Sequence, residues 1–295
     1  MTDKTITLNN GVQLPSLGLG VLQSEGGEAT AAVSSALTGG YRLIDTAAAY
    51  FNEREIGQGI RDSGADRAEV FLTTKLWMTD YGFDSALRAF DTSAAKLGVD
   101  YLDLYLLHWP LPANFSQTVA GYRAAERLLA DGRVRAIGVA NFKPEHLRAL
   151  VRETDVVPAV NQIELHPNFQ QPEQLAVHRE LGIVTQAWSP IGGVYGWAGE
   201  NGALPPLQND TIRVIADAHG KTPAQVILRW HLQEGRSAIP KSVTPARIAE
   251  NFAVFDFELT AADLTSIDAL DTGVRGAIDP DLATPEVIDL TIEAA

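Results

Sequence analysis

The sequence contains no cysteine, which removes several kinds of site at once. A disulfide framework, a thiolate nucleophile and a cysteine-ligated zinc site are all excluded, and nothing indicates an oxidising compartment. The six histidines form no His-Glu-x-x-His pattern, and Gly-x-Ser-x-Gly does not occur. We therefore expect neither a metal centre nor a serine hydrolase.

Basic residues are also scarce, with 23 Lys and Arg against 37 Asp and Glu and a net charge of −14. Because nucleic acids and anionic lipids attract proteins mainly through excess Lys and Arg, we expect neither as a partner. The sequence lacks an apolar run near the roughly 18 residues of a membrane span, and its N-terminus lacks the apolar core of a signal peptide. The expectation is a soluble, cytoplasmic protein.

What the sequence does contain is a regular alternation of strand and helix patterns. Alternating apolar residues on both sides of Asn9-Asn10-Gly11 predict an opening hairpin. Eight apolar runs then alternate with amphipathic stretches; the runs are LGLGVL, RLIDT, VFLTTKL, LDLYLLH, RAIGVAN, AVNQIEL, IVTQAW and SAIPKS. This pattern predicts an α/β protein: one (β/α)8 TIM barrel over residues 1–295, with an N-terminal β-hairpin and an extra C-terminal helix.

An open, doubly wound sheet is the alternative architecture. A dinucleotide-binding open sheet carries a three-glycine phosphate loop after its first strand, and residues 18–23 lack the third glycine. Gly220-Lys221-Thr222 looks like the end of a P-loop, but Ile215 stands where the leading glycine belongs. The barrel is therefore the favoured prediction.

Polar residues at the ends of three consecutive predicted strands are the strongest functional signal. Asp45 ends the second strand, Lys75 the third and His108 the fourth, while Tyr50 follows in the loop after Asp45. In a barrel, the carboxyl ends of neighbouring strands meet at the face where active sites form. Lys75 supplies the cation that a buried carboxylate needs. Each residue alone is more often structural, but four interacting titratable groups in one place predict an active site.

The order of motifs along the chain resembles that of the aldo-keto reductase family. The matching stretches are GLGVLQS, RLIDTAAAYFNEREIG, LTTKLW, LGVDYLDLYLLHWP, AIGVANF, NQIELHP, AWSPIG and IPKSVTPARIAENF. Within the family, the chain is most similar to the bacterial branch that includes 2,5-diketo-D-gluconate reductases. The resemblance implies a barrel, a nicotinamide cofactor and reduction of an aldehyde or ketone, with Asp45, Tyr50, Lys75 and His108 as the catalytic tetrad.

The chemistry of this tetrad follows from the charges involved. When hydride adds to a carbonyl carbon, negative charge develops on the oxygen and a proton donor must meet it there. We expect Tyr50 to be that donor, because a nearby ammonium lowers a phenol pKa of about 10 by roughly 1 to 3 units. Asp45 would hold Lys75 charged and in place, and His108 would orient the carbonyl.

The last strand precedes a predicted phosphate site. Lys241 and Ser242 follow that strand, and Thr244-Pro245 then opens a helix whose first turn contains Arg247. Glu250 and Asn251 lie one turn further along. The resemblance implies that these residues contact the adenosine 2′-phosphate and the adenine. Since two cations would pair with a 2′-phosphate but not with a neutral 2′-hydroxyl, we expect NADPH to be preferred over NADH.

The resemblance also implies how the nicotinamide end is held. Asn141 and Gln162 would bond the carboxamide, Trp188 would stack on the ring, and Ser189 and Ile191 would pass beside the pyrophosphate. One position departs from the family pattern, because Ala140 stands where a serine is usual. One hydrogen bond to the carboxamide is therefore expected to be missing.

Aromatic residues next to the tetrad predict the substrate pocket. Trp77 and Trp109 each follow a tetrad strand and would wall the carbonyl site; Leu22 and Phe51 would complete it. The loop around Trp197 and residues 276–295 are further candidates for its border. Two alternatives remain open at this stage, a nucleotide-binding regulatory subunit of an ion channel and a phosphate-binding barrel lyase or isomerase. We expect a monomer that acts on a small carbonyl compound.

Overall fold

A computed structural model describes residues 4–192 and 205–287. Its first element is the predicted hairpin, in which β1 (Thr5–Thr7) pairs with β2 (Gln13–Pro15) in antiparallel fashion. Leu8 and Leu14 of this hairpin pack against Leu43 and Phe71 inside the sheet that follows. The hairpin therefore closes the N-terminal end of the main fold.

Eight parallel strands form the main sheet, and each pairs with its neighbours in chain order. They are β3 (Leu19–Gly20), β4 (Leu43–Asp45), β5 (Phe71–Leu76), β6 (Leu102–Leu107), β7 (Val134–Ala140), β8 (Val160–Glu164), β9 (Val184–Trp188) and β10 (Ser237–Ala238). Parallel bridges join Leu17 to Ala238 and Gly20 to Lys241, so the first and last strands also meet. The sheet is closed, which confirms the predicted barrel and excludes the open sheet.

Helices surround the barrel because βα units return on the same side of a parallel sheet. They are α1 (Gly26–Thr38), α2 (Glu53–Ser63), α3 (Phe83–Leu97), α4 (Phe115–Ala130), α5 (Pro144–Glu153), α6 (Pro172–Leu181), α7 (Asp210–His219), α8 (Pro223–Gln233), α9 (Pro245–Phe252) and α10 (Ala261–Asp268). Short 3-10 helices cover Ala48–Tyr50, Arg67–Glu69, Met78–Asp80, Pro112–Asn114, Pro206–Gln208 and Pro280–Leu282. Helix α10 is the predicted extra C-terminal helix, whereas α7 is a second addition that the sequence reading did not single out.

Two helix starts differ in how they are capped. Thr222 and Gln225 form a capping box at α8. The backbone amide of Thr222 donates to Gln225 Oε1 at 2.9 Å, and the backbone amide of Gln225 donates to Thr222 Oγ1 at 3.3 Å. At α9, Pro245 opens the helix as expected, but the side chain of Thr244 makes no capping hydrogen bond. The first turn of α9 therefore keeps amide groups that its cap residue does not use.

No helix in the described ranges, 4–192 and 205–287, is both long enough and apolar enough to cross a bilayer. The assignment of residues 1–295 to one domain stays a prediction.

Candidate active site

Three of the four predicted tetrad residues meet at the ammonium group of Lys75. Its Nζ donates to Asp45 Oδ1 at 2.5 Å, to the carbonyl of Thr46 at 2.8 Å and to the hydroxyl of Tyr50 at 3.4 Å. Asp45 and Lys75 are both buried. The imidazole of His108 lies beside them, with its centroid 5.7 Å from that of the Tyr50 ring. The structure thus brings together all four residues.

A second set of contacts fixes the other oxygen of Asp45. Gln162 Nε2 donates to Asp45 Oδ2 at 2.7 Å and to Gln186 Oε1 at 2.7 Å, and Gln186 Nε2 donates to Ser237 Oγ at 3.1 Å. Polar side chains therefore cross the barrel interior from β4 to β10. Gln186 was not predicted from the sequence; its inward position in the alternating pattern of IVTQAW is the signal that identifies it.

The electrostatics of the site depend on burial. Although burial alone would lower the pKa of the Lys75 ammonium, the nearby Asp45 and Tyr50 raise it above its ordinary value. Burial raises the pKa of the Asp45 carboxyl, and Lys75 and Gln162 oppose that rise. Burial, together with the charge of Lys75, holds the pKa of His108 well below its ordinary value. His108 is therefore neutral near pH 7 and has one ring N–H to donate.

The backbone after β4 turns sharply to present Tyr50. The 3-10 helix Ala48–Tyr50 ends at Phe51, which has a left-handed φ of 56°. Asn52 then anchors the turn, because its amide accepts from the Thr46 hydroxyl at 2.8 Å and donates to the carbonyl of Val21 at 2.9 Å. The Tyr50 loop is thereby tied to the first barrel strand as well as to its own.

The tetrad opens into a cavity of about 390 Å³, within the usual range for small-molecule sites. Leu22, Trp77 and Trp109 line it, as predicted from the sequence. Phe51 is not among its lining residues; it is 53% exposed and has a left-handed φ of 56°. Lining residues that the sequence reading did not name singly include Gln23, Ile239, Ala277 and Ile278. Ala277 and Ile278 belong to residues 276–295, a predicted candidate for the border of the pocket.

The predicted nicotinamide residues Asn141, Gln162, Trp188, Ser189 and Ile191 also line the cavity. Asn141 Nδ2 donates to the carbonyl of His108 at 3.0 Å, and its Oδ1 accepts from Trp188 Nε1 at 2.9 Å. Asn141 and Ser189 both have left-handed φ angles, of 65° and 47°. The backbone just after β7 and β9 therefore adopts a conformation that costs free energy, at the two residues that meet the cavity.

Three kinds of group suited to a phosphate-bearing dinucleotide lie in this half of the cavity or beside it. The Oγ of Ser189 is buried and has no hydrogen-bond partner among the described residues. The start of α9 has amides that Thr244 does not cap, and Lys241, on the same loop, borders the cavity. An unused hydroxyl, free helix amides and an ammonium are the groups that bind phosphate and ribose oxygens.

The remaining predicted cofactor residues lie on α9 or just before it, outside the cavity lining. Arg247 is exposed, and Asn251 and Ser242 are buried. Glu250 accepts a hydrogen bond from the Thr222 hydroxyl of α8 at 2.9 Å, so its carboxylate already has a structural partner. Contact of these residues with an adenosine stays a prediction. The loop around Trp197 lies outside the described residues.

Comparison with known proteins agrees with this arrangement. The model of the Aldo/keto reductase family matches residues 16–272. Morphine 6-dehydrogenase from Pseudomonas putida is 56% identical over 278 residues, which cover 93% of this chain and 94% of that protein. Glyoxal reductase from Bacillus subtilis (strain 168) is 46% identical over 278 residues, which cover 94% and 96%.

A solved structure shows the same fold with cofactor. The crystal structure of a Gox0644 mutant in complex with NADPH superposes with a TM-score of 0.88 at 43% identity, covering 96% of this chain and all of that one. The finer resemblance to 2,5-diketo-D-gluconate reductases stays a prediction. The matched model and these relatives together show that the chain belongs to the aldo/keto reductase family.

Proposed function

We propose that this member of the family is an NADPH-dependent carbonyl reductase in which Tyr50 donates the proton. Family membership makes the chain an NADP(H)-dependent oxidoreductase of carbonyl and alcohol groups. The observation that supports the role of Tyr50 is the position of Lys75 Nζ, which contacts Asp45, the Thr46 carbonyl and the Tyr50 hydroxyl beside the cavity.

The residues divide the chemistry among them. A bound nicotinamide cofactor supplies hydride to the carbonyl carbon. Tyr50 gives its hydroxyl proton to the carbonyl oxygen as that oxygen gains charge, and the Lys75 ammonium stabilises the phenolate that is left. Asp45 keeps Lys75 charged and fixed by their 2.5 Å contact. Neutral His108 donates an N–H to the same oxygen and orients it, while Trp77 and Trp109 keep water away.

The charges around the cavity favour an uncharged substrate. Lys241 is the only cation among the described residues that line it, and it lies at the end proposed for the cofactor phosphates. Residues 193–204 and 288–295 contain no Lys, Arg or His that could supply another. A carboxylate placed beside Trp77 and Trp109 would lose water without gaining a cation. We therefore propose a neutral aldehyde, ketone or dicarbonyl rather than a diketo-sugar acid.

The names of two relatives support the lack of a carboxylate on the substrate, since neither glyoxal nor morphine has one. The alternative of a regulatory subunit with little turnover gains no support, because these relatives are named as a reductase and a dehydrogenase. A barrel lyase or isomerase is excluded by the family.

The test is a Tyr50→Phe variant assayed for NADPH binding by fluorescence quenching and for turnover by loss of NADPH absorbance. We expect unchanged binding and a fall in turnover of about 10²- to 10⁴-fold, the usual contribution of a general acid. Tyr101→Phe is the matched control, because Tyr101 stacks against Arg67 at the opposite end of the barrel.

The substrates are glyoxal, a cyclic ketone and 2,5-diketo-D-gluconate. Near-normal turnover of Tyr50→Phe would disprove the proton-donor role. Faster turnover of the sugar acid than of both neutral substrates would disprove the substrate class. NADPH binding by the unaltered protein with no turnover of any carbonyl would favour the regulatory alternative.

A further inference from the structure

The segment of residues 276–281, here called the C-terminal strap, follows α10 and borders the cavity through Ala277 and Ile278. It belongs to no strand or α-helix, and only Pro280–Leu282 forms a 3-10 turn. Two sets of side-chain contacts from the barrel hold it, one before Ile278 and one after.

The first anchor is Glu164, the last residue of β8, which is 2% exposed. Its Oε1 accepts from the amide of Gly276 at 2.8 Å, and its Oε2 accepts from the amide of Ala277 at 3.0 Å. His166 Nε2 lies 3.2 Å from the same Oε1. Each oxygen of a buried carboxylate is thus used on the backbone of the strap, in bonds that charge makes stronger than neutral ones.

The second anchor is Lys143, just before α5. Its Nζ lies 2.5 Å from Asp279 Oδ1 and 2.6 Å from Asp281 Oδ2. His146 Nε2 contacts the other oxygen of Asp281 at 3.2 Å. Although Glu145, His146 and Asp281 are close enough together to hold a metal ion, Asp281 already pairs with the ammonium of Lys143, which also contacts Asp279.

Ile278 lies between these anchors, one residue from Ala277 and one from Asp279. Its side chain is 39% exposed and lines the cavity together with Trp109 and Leu22. An exposed isoleucine at a cavity edge gains little from burial, so its position depends on the backbone on either side of it. The anchors therefore determine how far this wall enters the cavity.

We propose that Glu164 and Lys143 are positioning residues that set substrate size selectivity by fixing Ile278 as a wall of the carbonyl pocket. This inference rests on the proposed carbonyl reductase activity. Neither anchor touches the tetrad in the contacts described above, so neither acts on the proton transfer itself. Loosening an anchor lets the wall withdraw, which favours bulky ketones over small dicarbonyls.

The experiment measures kcat and KM for glyoxal and for a bulky cyclic ketone in three variants. Ile278→Ala raises the ratio of kcat/KM for the ketone to that for glyoxal by about tenfold, as expected for removal of a wall. Glu164→Gln loses at least one of its two backbone bonds, and it raises the same ratio by roughly three- to tenfold. The change lies in KM for the ketone, whereas kcat for glyoxal and NADPH binding stay within about twofold.

A double variant separates positioning from a general structural effect. If Glu164 acts through Ile278, Glu164→Gln combined with Ile278→Ala shifts selectivity no further than Ile278→Ala alone. Glu180→Gln is the control, since Glu180 is an exposed carboxylate that pairs with Arg148 on the surface. Additive shifts, or an equal loss of kcat for both substrates in Glu164→Gln, would overturn the proposal.

Lys143→Met gives a second route in case Glu164→Gln does not fold. Asp279 and Asp281 are already about half exposed, so their charges stay solvated when the ammonium is removed. The variant must shift selectivity in the same direction as Ile278→Ala, and an unchanged ratio refutes the role of this anchor. Failure of the reductase proposal looks different, because then the unaltered protein turns over neither carbonyl.

Discussion

The two ends of the barrel each bury an aspartate, and they satisfy it in different ways. At the C-terminal end, Asp45 contacts Lys75, whose ammonium is fully buried. At the N-terminal end, Asp103 accepts from Arg67 at 2.8 Å, from Arg135 at 2.7 Å and from the amide of Leu72 at 2.9 Å. The same buried charge thus receives one buried cation and the amide of Gln162 at one end, and two partly exposed cations and a backbone amide at the other.

The difference lies in what the cations do besides neutralising charge. The side chains of Arg67 and Arg135 are 22% and 46% exposed, so they bring Asp103 an attraction while staying partly hydrated. Lys75 has no such access to water, and its third N–H points at the Tyr50 hydroxyl next to the cavity. The N-terminal arrangement stabilises only the fold, whereas in the proposed mechanism the C-terminal one also stabilises a group that exchanges a proton. This division matches the general separation of stability and activity between the two faces of such barrels.

The largest predicted effect is that of Lys75→Met. The variant removes the cation that we propose stabilises the Tyr50 phenolate, so turnover should fall by about 10²- to 10⁴-fold. It also leaves Asp45 buried without an ionic partner, which costs roughly 3–5 kcal/mol of unfolding free energy. Initial rates of NADPH oxidation and urea unfolding measure the two effects.

A double variant separates these effects. Asp45→Asn combined with Lys75→Met removes both charges, so stability returns toward that of the unaltered protein while turnover stays low. Recovery of turnover together with stability would mean that Lys75 acts only as a structural partner of Asp45.

Asp103→Asn tests the other end. The neutral asparagine side chain cannot balance the charges of Arg67 and Arg135, and its NH2 group must face a hydrogen-bond donor. We therefore expect the free energy of unfolding to fall by about 3 kcal/mol. Turnover of the folded variant stays within about twofold, because no described contact links Asp103 to the cavity. A large fall in kcat without unfolding would contradict the division between the two ends.

Of the two buried aspartates and their partners, only the pair at the cavity end was predicted from the sequence. Asp45, Lys75 and His108 each end an apolar run, and parallel strands of a barrel place such ends together regardless of fine register. Gln186 and Glu164 were harder to recognise, because their roles depend on which residues oppose one another across strands. Gln162 pairs with Gln186 in the β8–β9 register, and that alignment is a tertiary result.

Local backbone geometry limited the sequence reading in other places. Phe51 was predicted to line the pocket because it follows Tyr50, but it is exposed, has a left-handed φ and is not among the lining residues. For Glu250, the contact with adenine stays a prediction; the structure adds that Thr222, the cap of the preceding helix, donates to its carboxylate. A motif gives the position of a residue in the chain, whereas the direction of its side chain depends on neighbouring elements.

The next test concerns Lys241 and Arg247, two cations toward the cavity end that differ from Arg67 and Arg135 in their ion pairing. Among the described residues, no carboxylate lies within ion-pair distance of Lys241 or Arg247, although the chain is strongly acidic. Replacing both by alanine should lower the ratio of NADPH to NADH efficiency by about tenfold or more, since each charge-assisted bond contributes roughly 1.5–3 kcal/mol.

The control for this prediction removes two positive charges elsewhere. Arg152 and Arg179 are exposed on α5 and α6, away from the cavity, and their double alanine variant should keep the cofactor ratio. Comparison of kcat/KM for the two cofactors in both variants decides the matter. An equal change in the two variants would indicate a general effect of net charge rather than contact with the 2′-phosphate.

The smallest predicted effect concerns the dependence of turnover on pH. Burial and the charge of Lys75 lower the pKa of His108. Its ring stays neutral as pH falls through about 6.5, where an unperturbed histidine becomes charged. His108 should therefore cause no inflection in kcat between about pH 5.5 and 7.5. The unfolded chain binds this proton first, so the contribution of His108 to stability is present above about pH 6.5 and declines as pH falls. NMR titration of the ring checks the assignment, and Lys75→Met should raise the pKa of His108 because one of its two causes is gone.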